Sequence, residues 1–216
     1  MRIGFDCDGP LVLFEPNMVD LIVRVTGRNL FPPDFPPING PAEWDWWAPL
    51  GYTREELNRV WDVIKASPSF WYSLPPAAGC ESLAFVLRDL EHKHDVYFIT
   101  NRMGLRAKRQ TEAWLCDHLP YDPDITPTVL LASAKGAVAK ALKLDIYLDD
   151  NLDNAKDVLR ESPKTRMYLL DRSYNQGNAT YAELRPSSDA TPDFDVRCAI
   201  RVNSLAEMLD AELANL

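Results

Sequence analysis

The chain has 216 residues, 46% hydrophobic and 25% charged, which is enough for one substantial core with a smaller lobe attached. A net charge of −9 and a pI of about 4.8 provide no basic surface to follow nucleic-acid phosphates or anionic lipid. No apolar run approaches the ~20 residues that span a bilayer, so neither polymeric nucleic acid nor a membrane is expected as a partner.

The first segment, Arg2 to Val12 (RIGFDCDGPLV), places a strand over Ile3 to Phe5 and then Asp6, Asp8 and Gly9 in a D-x-D-G turn. Such a turn can be a polar β-turn whose aspartates cap nearby backbone. At the end of a buried strand it can also supply a nucleophile, a general acid and a metal ligand together. Strand alternation sends Cys7 to the side opposite both aspartates, which predicts a core cysteine rather than a catalytic thiol. The four cysteines (Cys7, Cys80, Cys116 and Cys198) are widely spaced and form no C-x-x-C pair. With no leader-like stretch ahead of the first strand, a reducing cytoplasm is expected.

Residues 14 to 76 interrupt the pattern that follows. They open with a helical stripe of Met18, Leu21, Ile22 and Val25, closed by Gly27. A proline-rich loop, Phe31 to Pro41, leads to Trp44, Trp46 and Trp47. A second helix starts at a capping box of Thr53 and Glu56 and carries Leu57, Val60, Trp61 and Ile64 on one face. Five of the six tryptophans, counting Trp71, fall in this segment. That distribution fits a thin helical lobe needing large side chains to bury enough area. Only Phe70 and Trp71, at the return to the main domain, are singled out as substrate contacts.

Beyond the lobe, strands alternate with helices. Leu83, Val86, Leu87 and Leu90 make a helical stripe, and strands are predicted at Asp95 to Thr100, Thr128 to Leu131, Ile146 to Leu148, Arg166 to Leu170 and Arg197 to Val202. Ser204 and Glu207 begin a last helix with Leu205, Met208, Leu209 and Leu213 inward. The expected fold is α/β, a Rossmann-like three-layer parallel sheet formed by residues 1–13 and 77–216, with residues 14–76 inserted.

Three later strand ends carry polar chemistry. Thr100 is followed by Asn101 and Arg102, a hydroxyl and a cation that can hold a phosphoryl group, or a cap for a helix starting near Leu105. Ser133 to Leu142 starts a helix with Lys135 in its first turn, where backbone donors favour an anion, while Lys140 and Lys143 read as a solvated face. Ile146 to Asn154 (IYLDDNLDN) ends a strand in adjacent carboxylates, Asp149 and Asp150, with Asp153 a turn later. Loops at the carboxyl ends of parallel strands share one crevice, so all four segments can meet. If Asp6, Asp8, Asp149 and Asp150 converge, each close pair repels by ~4 kcal/mol at ~4 Å and an effective dielectric of ~20. A divalent ion removes that conflict, and all-oxygen ligands favour Mg²⁺ over zinc.

In these four motifs the chain resembles the haloacid dehalogenase (HAD) superfamily of phosphotransferases: DCDG for the first, Thr100 for the second, Lys135 for the third, and Asp149 with Asp150 for the fourth. Lys135 lies fourteen residues before Asp149, as is common in that superfamily, and the inserted lobe falls where its C1-type cap does. A closer similarity, to the 5'(3')-deoxyribonucleotidases and related 5'-nucleotidases, rests on PSFWYSLPPAAGCESL, LDDNLDN and LLDRSYNQ. The resemblance implies that Asp6 attacks phosphorus while Asp8 protonates the leaving oxygen and then activates water. It also implies that Thr100 and Lys135 hold the phosphoryl group, and that Asp6, the Asp8 carbonyl and Asp149 hold Mg²⁺ with Asp150 in support. Asn101 and Arg102 would bind substrate, and Phe70 and Trp71 would stack on a base.

Two positions depart from the pattern. Pro10 replaces a more usual aliphatic residue, and Asn101 with Arg102 replaces the Ser-Pro type pair of the deoxyribonucleotidases. The expected function is thus a Mg²⁺-dependent phosphomonoesterase for nucleoside monophosphates. One alternative is a phosphatase of sugar or other small-metabolite phosphates. Another is a non-catalytic, receiver-like phosphate-binding module, although receivers carry their acidic pair before the phosphoacceptor strand and lack an inserted cap. A homodimer is compatible with the sequence, and the role of the loop from Ser173 to Asp195 is open.

Overall fold

Strand β1 (Arg2–Phe5) runs through the middle of a six-stranded sheet in the computed structural model, which describes residues 1–35, 45–121, 126–175 and 199–213. The other strands are β2 (Asp95–Thr100), β3 (Val129–Leu131), β4 (Ile146–Asp149), β5 (Arg166–Leu170) and β6 (Ile200–Val202). Their order is β3-β2-β1-β4-β5-β6, and every neighbouring pair is parallel. A parallel sheet covered on both faces buries both sides of each strand, which is why these segments read as short continuous apolar runs. The chain steps outward from β1 to β2 and β3, then returns to lay β4 on the other side of β1. That reversal opens a crevice at the carboxyl ends of β1 and β4, where open α/β sheets bind their ligands.

Alternation along the strands divides the core into two layers. Phe5, Phe98, Leu148, Tyr168 and Leu170 pack with Leu83, Leu87 and Leu90 of α3 (Ala78–Lys93), Trp114 and Leu115 of α4 (Ala107–His118), and Met208 and Leu209 of α7 (Leu205–Leu213). Ile99, Tyr147, Met167 and Leu169 pack on the opposite face with Ala139 of α5 (Lys135–Leu142) and Val158 and Leu159 of α6 (Leu152–Glu161). The three-layer α/β expectation is met.

The segment between β1 and α3 supplies α1 (Glu15–Thr26), a short 3-10 turn at Ala48–Leu50, and α2 (Arg54–Ala66). Gly27 ends α1 in the left-handed conformation, and the Thr53 and Glu56 capping box is complete in both directions. Met18, Leu21 and Ile22 of α1 and Val60 and Ile64 of α2 join the apolar cluster that holds Phe5 and Trp71, so the lobe shares a core with one face of the sheet. The chain leaves and re-enters at one place: Leu13 N–H donates to Pro75 O at 2.9 Å, and Ala77 N–H to Leu11 O at 2.8 Å.

Some local expectations need correction. Helix α4 begins only at Ala107, behind a left-handed Arg106, so neither Thr100 nor Asn101 caps it. At α7 the Ser204 hydroxyl accepts from Glu207 N–H at 3.1 Å, but the Glu207 carboxylate turns back to Asn203 N–H at 2.7 Å, giving half of the predicted box. Trp44, Arg197, Cys198 and most of the 173–195 loop lie outside the described residues; Ser173–Asn175 forms a 3-10 turn. Among the described residues no helix is long and apolar enough to cross a membrane.

Candidate active site

Asp6 continues β1 by one residue, its N–H donating to Leu148 O at 2.8 Å, and its carboxylate enters the crevice. Lys135 is the first residue of α5 and is only 1% exposed. Its ammonium donates to Asp6 Oδ1 at 3.0 Å and to Ile99 O, which fixes the cation against that carboxylate. Burial raises the Asp6 carboxyl from 3.8 to about 7, with the Lys135 charge opposing and the Asp149 and Asp8 charges adding. For Lys135, burial pulls downward, but Asp6 and Asp149 outweigh it and hold the ammonium above its ordinary value. Lys140, by contrast, meets Glu161 at the surface, and Lys143 closes α5 in the left-handed conformation.

Asp8, two residues on, has partners of its own. Thr100 Oγ1 donates to Asp8 Oδ2 at 2.9 Å. Arg102 closes a two-pronged fork on the same carboxylate, with Nη2 at 2.7 Å from Oδ1 and Nε at 3.1 Å from Oδ2. Its remaining terminal nitrogen donates to Thr111 Oγ1 at 3.1 Å, and the guanidinium carbon sits 5.2 Å from the centre of the Trp71 ring. The Arg102 side chain is 0% exposed while that of Asp8 is 27% exposed, so the acid faces the crevice and the cation lies behind it. Asn101 is exposed beside them.

One carboxylate oxygen from each of Asp6, Asp149 and Asp150 lies within 4.8 Å of the others, and all three residues are buried. Asp149 is held by donors on both oxygens: Tyr147 OH at 2.9 Å, Asn151 N–H at 2.8 Å and Asn154 Nδ2 at 3.0 and 3.1 Å. Asp150 Oδ2 accepts from Tyr174 OH, whereas Asp150 Oδ1 is buried with no partner among the described residues. Burial raises Asp149, and burial with the charges of Asp149 and Asp6 raises Asp150 well above the carboxylate range. An orphaned buried oxygen within a knot of carboxylates is what a hard cation would satisfy. The Asp8 carboxylate is outside this group, being committed to Thr100 and Arg102. Gly9, at a φ of 93°, lies so close to Asp150 that a Cβ would overlap its carboxylate, which explains the glycine of the turn. Arg172 donates to Gly9 O at 2.8 Å, and Asn175 Nδ2 to Asp150 O at 2.8 Å, so the LLDRSYN segment closes this side.

The structure thus gathers Asp6, Asp8, Thr100, Arg102, Lys135, Asp149 and Asp150 at the carboxyl ends of β1, β2 and β4. It places Phe70 and Trp71 differently from the sequence expectation. They are 8% and 3% exposed, and Phe14 lies against both, its ring stacked on Trp71 at 6.1 Å and edge-on to Phe70 at 6.1 Å. Trp71 Nε1 donates to Met103 O at 2.9 Å and its N–H to Gln110 Oε1 at 2.9 Å. These rings belong to the apolar core beneath the site and present no open face for a base. Arg102, expected to bind substrate, is likewise turned inward to Asp8. Cys7 is buried as predicted, its thiol pushed up by burial to about 12, which makes it inert.

Tyr147 and Thr111 complete the site without having been singled out from sequence, Gln110 braces Trp71 behind Arg102, and Tyr174 comes from the Tyr-Asn pair of LLDRSYNQ. Tyr147 could have been found, since a residue two before Asp149 on a strand shares its face. Gln110 and Thr111 sit mid-helix with no local signal.

No protein-family model and no curated protein matches the chain. Solved structures do. A protein from Thermotoga maritima described as a beta-phosphoglucomutase is similar over 100% of both chains, with a TM-score of 0.57 and 16% identity. A haloacid dehalogenase-like hydrolase from Burkholderia xenovorans is similar over 99% of this chain and 96% of its own, with a TM-score of 0.53 and 13% identity. At these identities the likeness shows the fold: an α/β sheet of the kind found in HAD-like hydrolases, here with its acidic site at the strand ends.

Proposed function

We propose that the protein is a HAD superfamily phosphomonoester hydrolase working through an aspartyl phosphate on Asp6. The observation that carries this reading is the separate anchoring of two neighbouring acids, Asp6 by Lys135 and Asp8 by Thr100 and Arg102, beside a buried carboxylate pair. A fixed nucleophile and a separately held acid are what displacement at phosphorus requires.

In the first step an Asp6 oxygen forms a bond to phosphorus as the bond to the leaving oxygen breaks, and Asp8 gives its proton to that oxygen. In the second, Asp8 takes a proton from water as the water oxygen attacks the aspartyl phosphate, releasing phosphate and restoring the Asp6 carboxylate. Lys135 would offset negative charge gathering between Asp6 and the phosphoryl oxygens, and Thr100 and Asn101 are proposed to donate to those oxygens. Asp6, Asp149, Asp150 and the Asp8 carbonyl would hold Mg²⁺, and the all-oxygen chemistry of the set fits that ion. When bound, the ion supplies positive charge that lets anionic carboxylate and phosphate approach one another.

Nucleoside monophosphates are the first substrate class proposed, on the nucleotidase-like LDDNLDN and LLDRSYNQ segments. A sugar or small-metabolite phosphate is the second, favoured by the burial of Phe70 and Trp71, which removes the expected base platform. The helical lobe between β1 and β2 speaks against a receiver-like module. The test is phosphate release from ribo- and deoxyribonucleoside monophosphates and sugar phosphates, with and without Mg²⁺, against Asp6→Asn. Mg²⁺-dependent release abolished by the substitution supports the hydrolase, and the best ester names the class. No release from any ester by folded protein refutes it.

A further inference from the structure

The Arg102 guanidinium has no edge left for a ligand. Nε and Nη2 serve Asp8, Nη1 serves Thr111, and the Trp71 ring lies 5.2 Å from its carbon. A guanidinium whose side chain is 0% exposed cannot reach a phosphate without surrendering Asp8. The parts that hold it come from two directions. Thr111 lies on α4, while Trp71 lies where the helical lobe returns to the main domain.

That return segment is bound to the loop carrying Arg102. Gln110 accepts from Trp71 N–H at 2.9 Å and donates to Ser67 O at 3.0 Å and Leu105 O at 2.8 Å. Leu105 N–H donates to Lys65 O at 2.6 Å, and Gly104, at a φ of 102°, lies directly against the Lys65 backbone, where any Cβ would overlap it. The end of α2 and the loop after β2 are therefore tied together by hydrogen bonds and close packing.

Building on the phosphatase reading, we propose that Arg102 is the positioning residue of Asp8, held for that task by Trp71 and Thr111, so that the seating of the lobe sets the aim of the acid. A bidentate fork fixes the plane and direction of a carboxylate, which a single hydroxyl such as Thr100 cannot do. A proton reaches the leaving oxygen only from a correctly aimed donor. Arg102 thereby acts on the chemical step and not on substrate affinity.

The experiment compares two leaving groups. Nitrophenolate departs without a proton, whereas an alkoxide needs one. Wild type, Arg102→Ala and Thr111→Val are assayed on 4-nitrophenyl phosphate and on whichever of deoxyuridine 5'-monophosphate and glucose 6-phosphate wild type hydrolyses faster. For Arg102→Ala the expected result is a loss of kcat/KM about tenfold or more greater on the alkyl ester than on the nitrophenyl ester, the size of effect general acid catalysis carries. The ratio kcat/KM reports the step that expels the leaving group and not the aspartyl-phosphate hydrolysis common to both. Thr111→Val, which removes one partner of Arg102 and leaves the fork, is expected to show a smaller split of the same sense, so the inference survives an Arg102→Ala protein that fails to fold. An equal loss of kcat/KM on both esters, as a ligand of the shared phosphoryl group would give, makes Arg102 a substrate ligand and overturns the inference. Wild-type protein that hydrolyses neither kind of ester instead overturns the phosphatase reading on which the inference rests.

Discussion

Replacing Asp150 by asparagine should make the metal-free protein more stable, and increasingly so as pH rises. Asp150 is 2% exposed, has one orphaned oxygen, and shares its site with Asp6 and Asp149. Burial and those neighbouring charges hold its proton on in the folded state well above the ordinary value of 3.8. The folded chain therefore binds more protons than the unfolded chain at pH above ~4, and a state that binds more protons loses stability as pH rises. The slope for one such group is about 1.4 kcal/mol per pH unit up to its folded pKa. Between pH 5 and pH 8 the Tm of Asp150→Asn should thus rise relative to that of wild type, the gap widening for as long as the pH lies below the folded pKa of Asp150. Thermal unfolding in chelator at both pH values measures it. Adding Mg²⁺ at pH 8 should reverse the order, because the ion stabilises wild type and the asparagine lacks the charge that holds it. A variant less stable than wild type in chelator at pH 8, or one gaining as much from Mg²⁺, refutes the account of the carboxylate cluster.

Other consequences follow from single contacts. Gly9→Ala should lose about 1 to 3 kcal/mol and its Mg²⁺-induced rise in Tm, since the new methyl group displaces the Asp150 carboxylate and the φ of 93° is strained for alanine. Gln110→Leu leaves the Trp71 N–H and the Ser67 and Leu105 carbonyls unpaired; a loss of about 1 to 3 kcal/mol and faster amide exchange at residues 65–71 are expected, and unchanged exchange would show that the segment is held otherwise. Cys7, with a thiol near 12, should resist iodoacetamide at pH 8 under conditions that label exposed Cys116, and rapid labelling of Cys7 would contradict its burial.

The sheet was legible because its strands are buried on both faces and stand out as short apolar runs such as Ile146 to Leu148 and Arg166 to Leu170. The acids were legible for a related reason: a carboxylate directly after such a run must emerge at the strand's carboxyl end, so Asp6, Asp149 and Asp150 could be placed together before any contact was seen. Lys135 was legible from its position at a helix start. The bond of Arg102 to Asp8 was not legible, because sequence shows a cation two residues after a hydroxyl, not the direction of a long side chain, and Asp8 is 94 residues away. Phe70 and Trp71 were misread because aromatic rings at a lobe's return suit a ligand or a core equally well. Phe14, more than fifty residues earlier, decides between them by lying against both rings.

The claim that Asp6 is the nucleophile is tested most directly by trapping the phosphorylated protein. Wild type and Asp6→Asn are mixed with a radiolabelled phosphomonoester identified by the release assay, in Mg²⁺, quenched in acid within one turnover, and digested for peptide mapping. The account predicts acid-stable, hydroxylamine-labile phosphate on the peptide carrying Asp6 and none in the variant. Label on another residue, or turnover that persists undiminished in Asp6→Asn, would contradict it.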